Sequence, residues 1–190
     1  MKKTITLLAL TISFIISGQI STSVTDNSGI YASAIGYTTT ASGYASTAMG
    51  GYTISSNFYS TAMGRSTTAS GGYSTSMGRF TTASGDSSVS MGYDTVASGI
   101  GSTAMGRRTA ASGNYSTASG YWTTASGYAS TVMGVETIAS DYASTVIGHY
   151  NSSGSSPTSA DSFSTAAPAF VIGNGTYDAT SDAFKVMFNG

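Results

Sequence analysis

Residues 44–71 read YASTAMG, GYTISSN, FYSTAMG and RSTTASG, and every segment of seven ends in glycine or asparagine. The same spacing runs without a slip from Gly29 to Gly148. Glycine adopts left-handed backbone conformations at the least cost, and Asn and Asp follow it. We therefore predict a structural turn with positive φ at every seventh residue: Gly29, Gly36, Gly43, Gly50, Asn57, Gly64, Gly71, Gly78, Gly85, Gly92, Gly99, Gly106, Gly113, Gly120, Gly127, Gly134, Asp141 and Gly148.

The segments come in two alternating types, one ending in Ala-Met-Gly and the other in Ala-Ser-Gly. The true period is therefore 14 residues, and the array holds about nine coils. A seven-residue period also suits a coiled coil, but glycine in every segment, with Ser and Thr throughout, opposes a helix. The pattern therefore predicts an all-β fold, a parallel β-roll or β-solenoid.

Two columns of larger residues alternate with small ones in the Met-type segments. The residue before the glycine is usually Met or Ile, as in Met49, and the third residue before it is Thr or Val, as in Thr47. Exchange among Thr, Val and Ile is typical of packed β-structure, so we expect these columns to point into the roll. The other face then carries the Ala column and an unbroken Thr column: Thr39, Thr53, Thr67, Thr81, Thr95, Thr109, Thr123 and Thr137.

A coil of 14 residues leaves only a thin core. A single roll would expose much flat surface and the ends of its sheets. Self-association would cover part of that surface, and a rotationally symmetric oligomer uses identical faces repeatedly. The residues do not decide which face would lie at the interface.

The segments Tyr31–Gly36 (YASAIG), Tyr44–Gly50 (YASTAMG) and Thr67–Gly71 (TTASG) resemble the head repeats of YadA-type trimeric autotransporter adhesins. The resemblance covers the head repeats, residues 29–150. It implies a left-handed parallel β-roll, a side-by-side homotrimer, and a secreted or bacterial cell-surface head that binds host matrix or other surfaces. The chain departs from that family in using Met where Ile is frequent, which suits the same packing.

The flanking segments differ from the repeats. Residues 1–18 join Lys2 and Lys3 to a short apolar run, a pattern typical of a secretory signal peptide, and residues 19–28 form a lead-in. The apolar run is too short to span a bilayer, so no transmembrane anchor is expected in this chain. Residues 151–168 are a Ser, Gly and Pro loop or neck. Residues 169–190 are similar to the strand pair that closes YadA-like heads, which makes the chain a fragment or a head without its own anchor.

The composition argues against several classes of function. The net charge is −1 and there is no cysteine, as in an exported chain that does not rely on disulfides. No basic patch indicates nucleic acid, and no paired carboxylates indicate an enzyme or a cofactor site. The single histidine, His149, occupies a surface turn. Acidic residues do not recur with the period, so no metal site is expected: Asp86, Asp94, Glu136 and Asp141.

Sequence variation concentrates in the two positions that follow each turn residue, where all the tyrosines of the array lie. Most single tyrosines are expected to stack on one another. Mixed turns with Arg and Trp offer a large contact area at a low entropic cost, so the candidate ligand-binding residues are Arg107, Arg108, Tyr121 and Trp122. The expected partner is an extracellular matrix protein or a surface glycan.

Two other binding functions share this kind of fold. An ice-binding β-solenoid is suggested by the Thr column, although the residue two positions after Thr39 or Thr67 is Ala41 or Ala69 and not a second Thr. A phage-fibre-like receptor binder is the other alternative, and the signal peptide argues for a protein that a cell exports.

Overall fold

The computed structural model describes residues 24–154 and 157–189. The predicted signal peptide, residues 1–18, and the first part of the lead-in lie outside the described residues. Asp26 forms a parallel bridge with Thr40, so the described end of the lead-in already stacks on the first coil.

Strands alone form the regular structure of the described residues, and they stack in two sheets that are parallel throughout the repeats. Each coil contributes one long and one short strand. The long strands are β1 Ser33–Tyr37, β3 Thr47–Gly51, β5 Thr61–Arg65, β7 Thr75–Arg79, β9 Val89–Tyr93, β11 Thr103–Arg107, β13 Thr117–Tyr121, β15 Thr131–Val135 and β17 Thr145–His149. The short strands are β2 Thr40–Ala41, β4 Ile54–Ser55, β6 Thr68–Ala69, β8 Thr82–Ala83, β10 Val96–Ala97, β12 Ala110–Ala111, β14 Thr124–Ala125 and β16 Ile138–Ala139.

Register is constant along the array. Each residue pairs with the residue 14 positions later, as Met49 pairs with Met63 and Gly50 with Gly64. The predicted parallel β-solenoid with a 14-residue period is therefore confirmed, with eight complete coils and a ninth long strand, β17. A 14-residue period yields this register because identical residue types then stack in columns.

The turns use a left-handed residue that the glycine spacing did not identify. It lies two positions after each period residue, where φ is between 47° and 63°, and its side chain varies freely. These residues are Val24, Tyr31, Thr38, Ala45, Tyr52, Tyr59, Ser66, Tyr73, Phe80, Ser87, Asp94, Gly101, Arg108, Tyr115, Trp122, Ala129, Glu136, Ala143 and Tyr150. Stacked turns hold this strained conformation in place, because from Ala45 onward the N–H at this position donates to a carbonyl in the preceding coil, as Tyr52 does to Tyr37.

The predicted positive φ holds for only half of the period residues. The nine glycines of the Met type have φ between 102° and 135°, and all of them lie within long strands. The other period residues, including Asn57 and Asp141, do not have positive φ, so the prediction was wrong for them. Where glycine occupies these positions the space is tight, because a Cβ built on Gly71 would lie 2.1 Å from the carbonyl oxygen of Gly85; Asn57 and Asp141 are the two exceptions.

The interior consists of small side chains. Ala side chains from both sheets are fully buried, as Ala104 and Ala111 are, and Ser and Thr join them. The Thr column predicted for the outer face is buried throughout: Thr39, Thr53, Thr67, Thr81, Thr95, Thr109, Thr123 and Thr137. The core is therefore a narrow stack of Ala, Ser and Thr, widened near its C-terminal end by Val132, Val146 and Val171.

The Met, Ile and Thr columns predicted to lie inside the roll point outward, so the predicted facing of the strands was wrong. Met49 and Met133 are 38% and 48% exposed, and Thr47 is half-buried. A shift of one residue exchanges the two faces of a strand, and both assignments preserve the alternation. Volume decides between them, because a coil with two-residue strands on one side has room for Ala but not for Met.

Buried hydroxyls are paired where the core carries an extra Ser. Ser76 bonds Thr81 and Ser90 bonds Thr95, both at 2.7 Å between the oxygens. Ser55 pairs with Ser60 in the same way. In coils with Ala at these positions the Thr hydroxyl, as in Thr67, has no hydrogen-bond partner. A Ser in place of Ala in the core therefore adds a buried hydroxyl, and this hydroxyl supplies a hydrogen-bond partner for the neighbouring Thr.

A separate segment closes the C-terminal end. β18 Pro168–Asn174 adds to β17 in parallel, and β19 Asp182–Met187 pairs with β18 in the antiparallel direction. The loop before β18 lies over the last coil, where Asp141 Oδ1 accepts N–H bonds from Thr158 and Ser159 at 2.5 and 2.7 Å. Asp141 thus replaces the period glycine where no further coil follows.

Asp182 ties β19 to the loop after β17. Its carboxylate accepts hydrogen bonds from the N–H and hydroxyl of Ser152, both at 2.9 Å, and from the N–H of Ser153 at 3.0 Å. Partial burial raises the pKa of Asp182, but the bonds donated by Ser153 and Ser152 outweigh burial and hold the pKa below its ordinary value of 3.8. Depression of the pKa means that the ionised carboxylate stabilises the fold.

Asp182→Ala is expected to lower the free energy of unfolding at neutral pH, because it removes the hydrogen bonds to Ser152 and Ser153. The loss should be only about 1 kcal/mol, because water still reaches much of the carboxylate. The effect should be complete above the ordinary pKa of 3.8 and be lost as pH falls through the lower pKa of the folded protein, below which both states are protonated. Urea unfolding of both proteins at several pH values measures this difference. The control is Asp178→Ala, which removes an exposed carboxylate in the connection between β18 and β19. A difference that stays constant down to pH 2 would contradict the assignment.

Candidate binding edges of the solenoid

The solenoid has two long edges, formed by the turns between its sheets. The arginine edge consists of the two residues after each Met-type glycine: 37–38, 51–52, 65–66, 79–80, 93–94, 107–108, 121–122, 135–136 and 149–150. The tyrosine edge consists of the two residues after each of the other period residues: 30–31, 44–45, 58–59, 72–73, 86–87, 100–101, 114–115, 128–129 and 142–143. Backbone hydrogen bonds between successive turns make each edge a rigid row.

Arginine and aromatic side chains interleave along the arginine edge. The Arg79 guanidinium carbon lies 4.8 Å from the ring centre of Phe80 and 5.5 Å from that of Tyr93. The Arg107 guanidinium lies 5.6 Å from Tyr93 and 5.5 Å from Tyr121. These are cation–π distances, so one continuous stack runs over four coils.

A second row lies beside this stack. The Arg108 guanidinium is 5.1 Å from the ring centre of Trp122, and its Nε is 3.5 Å from Oδ2 of Asp94. Thr109 and Ala110 complete a shallow surface depression with these three side chains and Val96. Its floor is apolar, and its rim carries the charged groups of Asp94 and Arg108. It can therefore hold a ring with polar substituents.

The four predicted binding residues are neighbours. Arg107 pairs in register with Tyr121, and Arg108 contacts Trp122. The site also extends over Arg79, Phe80 and Tyr93, and it includes the ion pair between Asp94 and Arg108. These residues were not among the predicted ones. The sequence does contain a signal for this extension. Arginine or tyrosine recurs every 14 residues, at Arg65, Arg79, Tyr93, Arg107 and Tyr121.

The tyrosine edge carries stacked rings and no basic side chain. Tyr59 and Tyr73 are parallel with ring centres 5.2 Å apart, and Tyr128 and Tyr142 are parallel at 5.3 Å. Tyr44 contacts Tyr59 edge to face at 5.6 Å. Such contacts stabilise neighbouring turns, and this agrees with the stacking role expected for single tyrosines.

Two tyrosines of the arginine edge have perturbed acidity. A side-chain hydrogen bond with Tyr37 raises the pKa of Tyr52, and partial desolvation together with the nearby Glu136 raises the pKa of Tyr150. His149 is exposed, and its Nδ1 lies 2.6 Å from the carbonyl oxygen of Gly175. These contacts hold the last turn of the edge against the β18–β19 connection.

The outer surface of the long strands forms a third feature, which we name the methionine face. It is the in-register column Ile35, Met49, Met63, Met77, Met91, Met105, Ser119, Met133, Ile147 and Ile172. A parallel column of Thr and Val flanks it, as Thr47, Thr61 and Val89 show. This is a flat apolar strip running the length of the solenoid, of the kind that marks interaction sites.

Comparison with known families supplies the deciding observation. The chain matches the YadA head domain repeat over residues 28–53, 55–81, 69–95, 83–109, 97–123, 111–134 and 125–151. It belongs to the YadA head family. These matches cover both edges and the methionine face as far as Ile147, so these surfaces are part of the YadA head repeats. No curated protein matches the chain at a significant level.

YadA heads belong to bacterial cell-surface adhesins, and the chain is an adhesin-like head of that kind. Among residues 24–154 and 157–189, no three His, Asp or Glu side chains lie close enough together to hold a metal ion. Within the same residues, no helix has the length and apolarity needed to cross a membrane.

Proposed function

We propose that this chain is the head of an exported surface adhesin that assembles as a homotrimer and has no catalytic role. Residues 1–18 direct its export as a signal peptide. Its ligands are extracellular matrix proteins or surface glycans, bound through repeated contacts along the edges. The observation that carries the proposal is the methionine face in an array of YadA head repeats.

The methionine face supports the trimer. Its side chains are partly exposed in a single chain, and they recur at the same height in every coil. Three copies around one axis would bury this strip against itself along the whole solenoid. Both edges then stay available on each protomer, and three copies multiply weak contacts into avid binding.

The buried Thr column bears on the ice-binding alternative. Ice binding needs exposed hydroxyls, and this column lies inside the roll. The outward column of the short strands is interrupted by apolar residues at Ile54, Val96, Ala110 and Ile138. The outward column of the long strands is mostly Thr, but it is flanked by Met and not by a second Thr column, so adhesion is the function that the surface favours.

Light scattering after size exclusion tests the assembly. The full mature chain is expected to have the mass of three chains, and the same sample is expected to bind immobilised matrix proteins or glycans avidly. The avidity control is a monomeric variant with an altered methionine face, which should bind much more weakly. A wild-type monomer that binds no surface would overturn the proposal.

A further inference from the structure

We propose that the arginine edge between Arg65 and Trp122 binds a linear sulfated polysaccharide. This inference rests on the proposed function and deepens it, because it names the chemical class of one surface ligand. The edge combines anion-binding groups, ring-binding groups and a linear layout, and each of these points to the same kind of molecule.

Charge placement is the first observation. All four arginines of the chain lie on the arginine edge, at positions 65, 79, 107 and 108, whereas the tyrosine edge carries Asp86 and no basic residue. Only Arg108 has a carboxylate partner among the described residues. A chain with a net charge of −1 thus concentrates all of its arginine charge in one row, and Lys185 lies elsewhere.

Preorganisation is the second observation. Phe80 and Tyr93 contact the Arg79 guanidinium, and Tyr93 and Tyr121 contact the Arg107 guanidinium. Rings beside a guanidinium leave its in-plane N–H groups free to bind an anion in a bidentate manner. The arginines therefore lose little side-chain entropy when a sulfate or carboxylate binds.

The direction of the row is the third observation. Arg65, Arg79 and Arg107 occupy the same position in their coils, and stacked coils are about 4.8 Å apart. The three guanidinium groups therefore span about 14 Å parallel to the solenoid axis. A single small anion can reach only one or two of them, whereas an extended polymer can contact the whole row.

The remaining side chains favour a sugar polymer over a nucleic acid. Tyr121 and Trp122 are 36% and 45% exposed, so their rings can pack against the apolar side of a sugar. Asp94 lies within the row, beside Arg108. Its carboxylate can accept hydrogen bonds from free sugar hydroxyls, which the deoxyribose-phosphate backbone of DNA lacks.

The test uses the full mature chain and fluorescently labelled heparin, with neutral dextran and single-stranded DNA as comparison polymers. Heparin is expected to bind with an affinity that falls as salt rises, because counterions are released. Arg79→Ser with Arg107→Ser should weaken binding about tenfold and reduce the salt dependence. Both substitutions suit the fold, because other coils carry Gly51 and Val135 at this position.

Two further variants test the source of the affinity. One distinguishes binding at the arginine edge from general attraction by positive charge, and the other measures the contribution of ring contact with the sugar. Lys185→Ser removes a positive charge far from the row and should change heparin affinity less than about twofold. Trp122→Ser should weaken heparin binding about threefold or more while leaving its salt dependence unchanged.

Several results would overturn the inference. These are no saturable heparin binding by the wild-type chain, equal binding of DNA, or an equal loss of affinity in the Lys185→Ser variant. A fall in mass of the double arginine variant would also overturn it, because the edge would then be a contact between protomers. If the wild-type chain is trimeric and binds matrix proteins but does not bind heparin, this inference is wrong and the proposed function is still supported.

Discussion

Replacing Gly92 with Val is expected to abolish the cooperative folding of the solenoid. A Cβ at this position would lie 2.0 Å from the carbonyl oxygen of Gly106 in the next coil, and φ is 126°. A β-branched residue is strained at this φ, and the backbone of the next coil cannot move without breaking the ladder. The expected loss is at least about 4 kcal/mol of unfolding free energy, measured by thermal melting and far-ultraviolet circular dichroism.

Gly99→Val is expected to have a similar effect for a different reason. Gly99 does not have positive φ, but its Cβ would lie 2.1 Å from the carbonyl oxygen of Gly113. The spacing of the sequence explained the glycines at positions 71 and 99 by a positive φ that neither has. The close approach of the next coil replaces that reason.

Gly51 provides the matched control. It follows Gly50 directly, yet a Cβ at Gly51 would meet nothing within 4 Å, and its φ is not positive. Gly51→Ala should therefore leave stability unchanged or raise it by up to about 1 kcal/mol. If Gly51→Ala unfolds the protein as Gly92→Val does, the steric explanation is wrong.

The position of the substitution should also matter. Each coil contacts only its neighbours, so an array can lose terminal coils while the rest stays folded. Gly36→Val, in the first coil, should leave the fluorescence of the single tryptophan, Trp122, unchanged. Gly92→Val should alter it, and an equal change in both variants would show that the array unfolds as one unit.

The period was sufficient to predict the architecture. Identical residues 14 positions apart can stack only if one coil contains 14 residues, and this fixed the parallel register of Met49 on Met63. The edges followed from the same spacing, because variation is tolerated only where side chains leave the sheets. The arrangement of Arg107, Arg108, Tyr121 and Trp122 on adjacent coils was predictable for that reason.

Two features could not be obtained from the pattern. Strand facing depends on the internal width of the coil, which alternation alone does not reveal, so Met49 and Thr39 were assigned to the wrong faces. The left-handed turn position holds residues as different as Trp122, Glu136 and Ala143. Side-chain identity therefore carries no signal for its backbone conformation, which stacked hydrogen bonds maintain.

Met91→Glu is expected to convert the proposed trimer into monomers without unfolding the solenoid. Met91 lies in the middle of the methionine face and points away from the core. In a trimer built on this face, three carboxylates would meet near the axis, and burying each ion costs several kcal/mol. Light scattering should therefore give the mass of one chain, while circular dichroism retains the wild-type sheet content.

Thr82→Glu is the matched control, because Thr82 points outward from the sheet of short strands on the opposite side of the same region. This variant should remain trimeric. The pair also separates the two assignments of strand facing: if Met91 lay inside the roll, its replacement by Glu would bury an unpaired charge and unfold the chain. A folded Met91→Glu monomer thus requires both that the methionine face is outside and that it is the surface joining the protomers, and a folded Met91→Glu trimer would exclude this face as the interface.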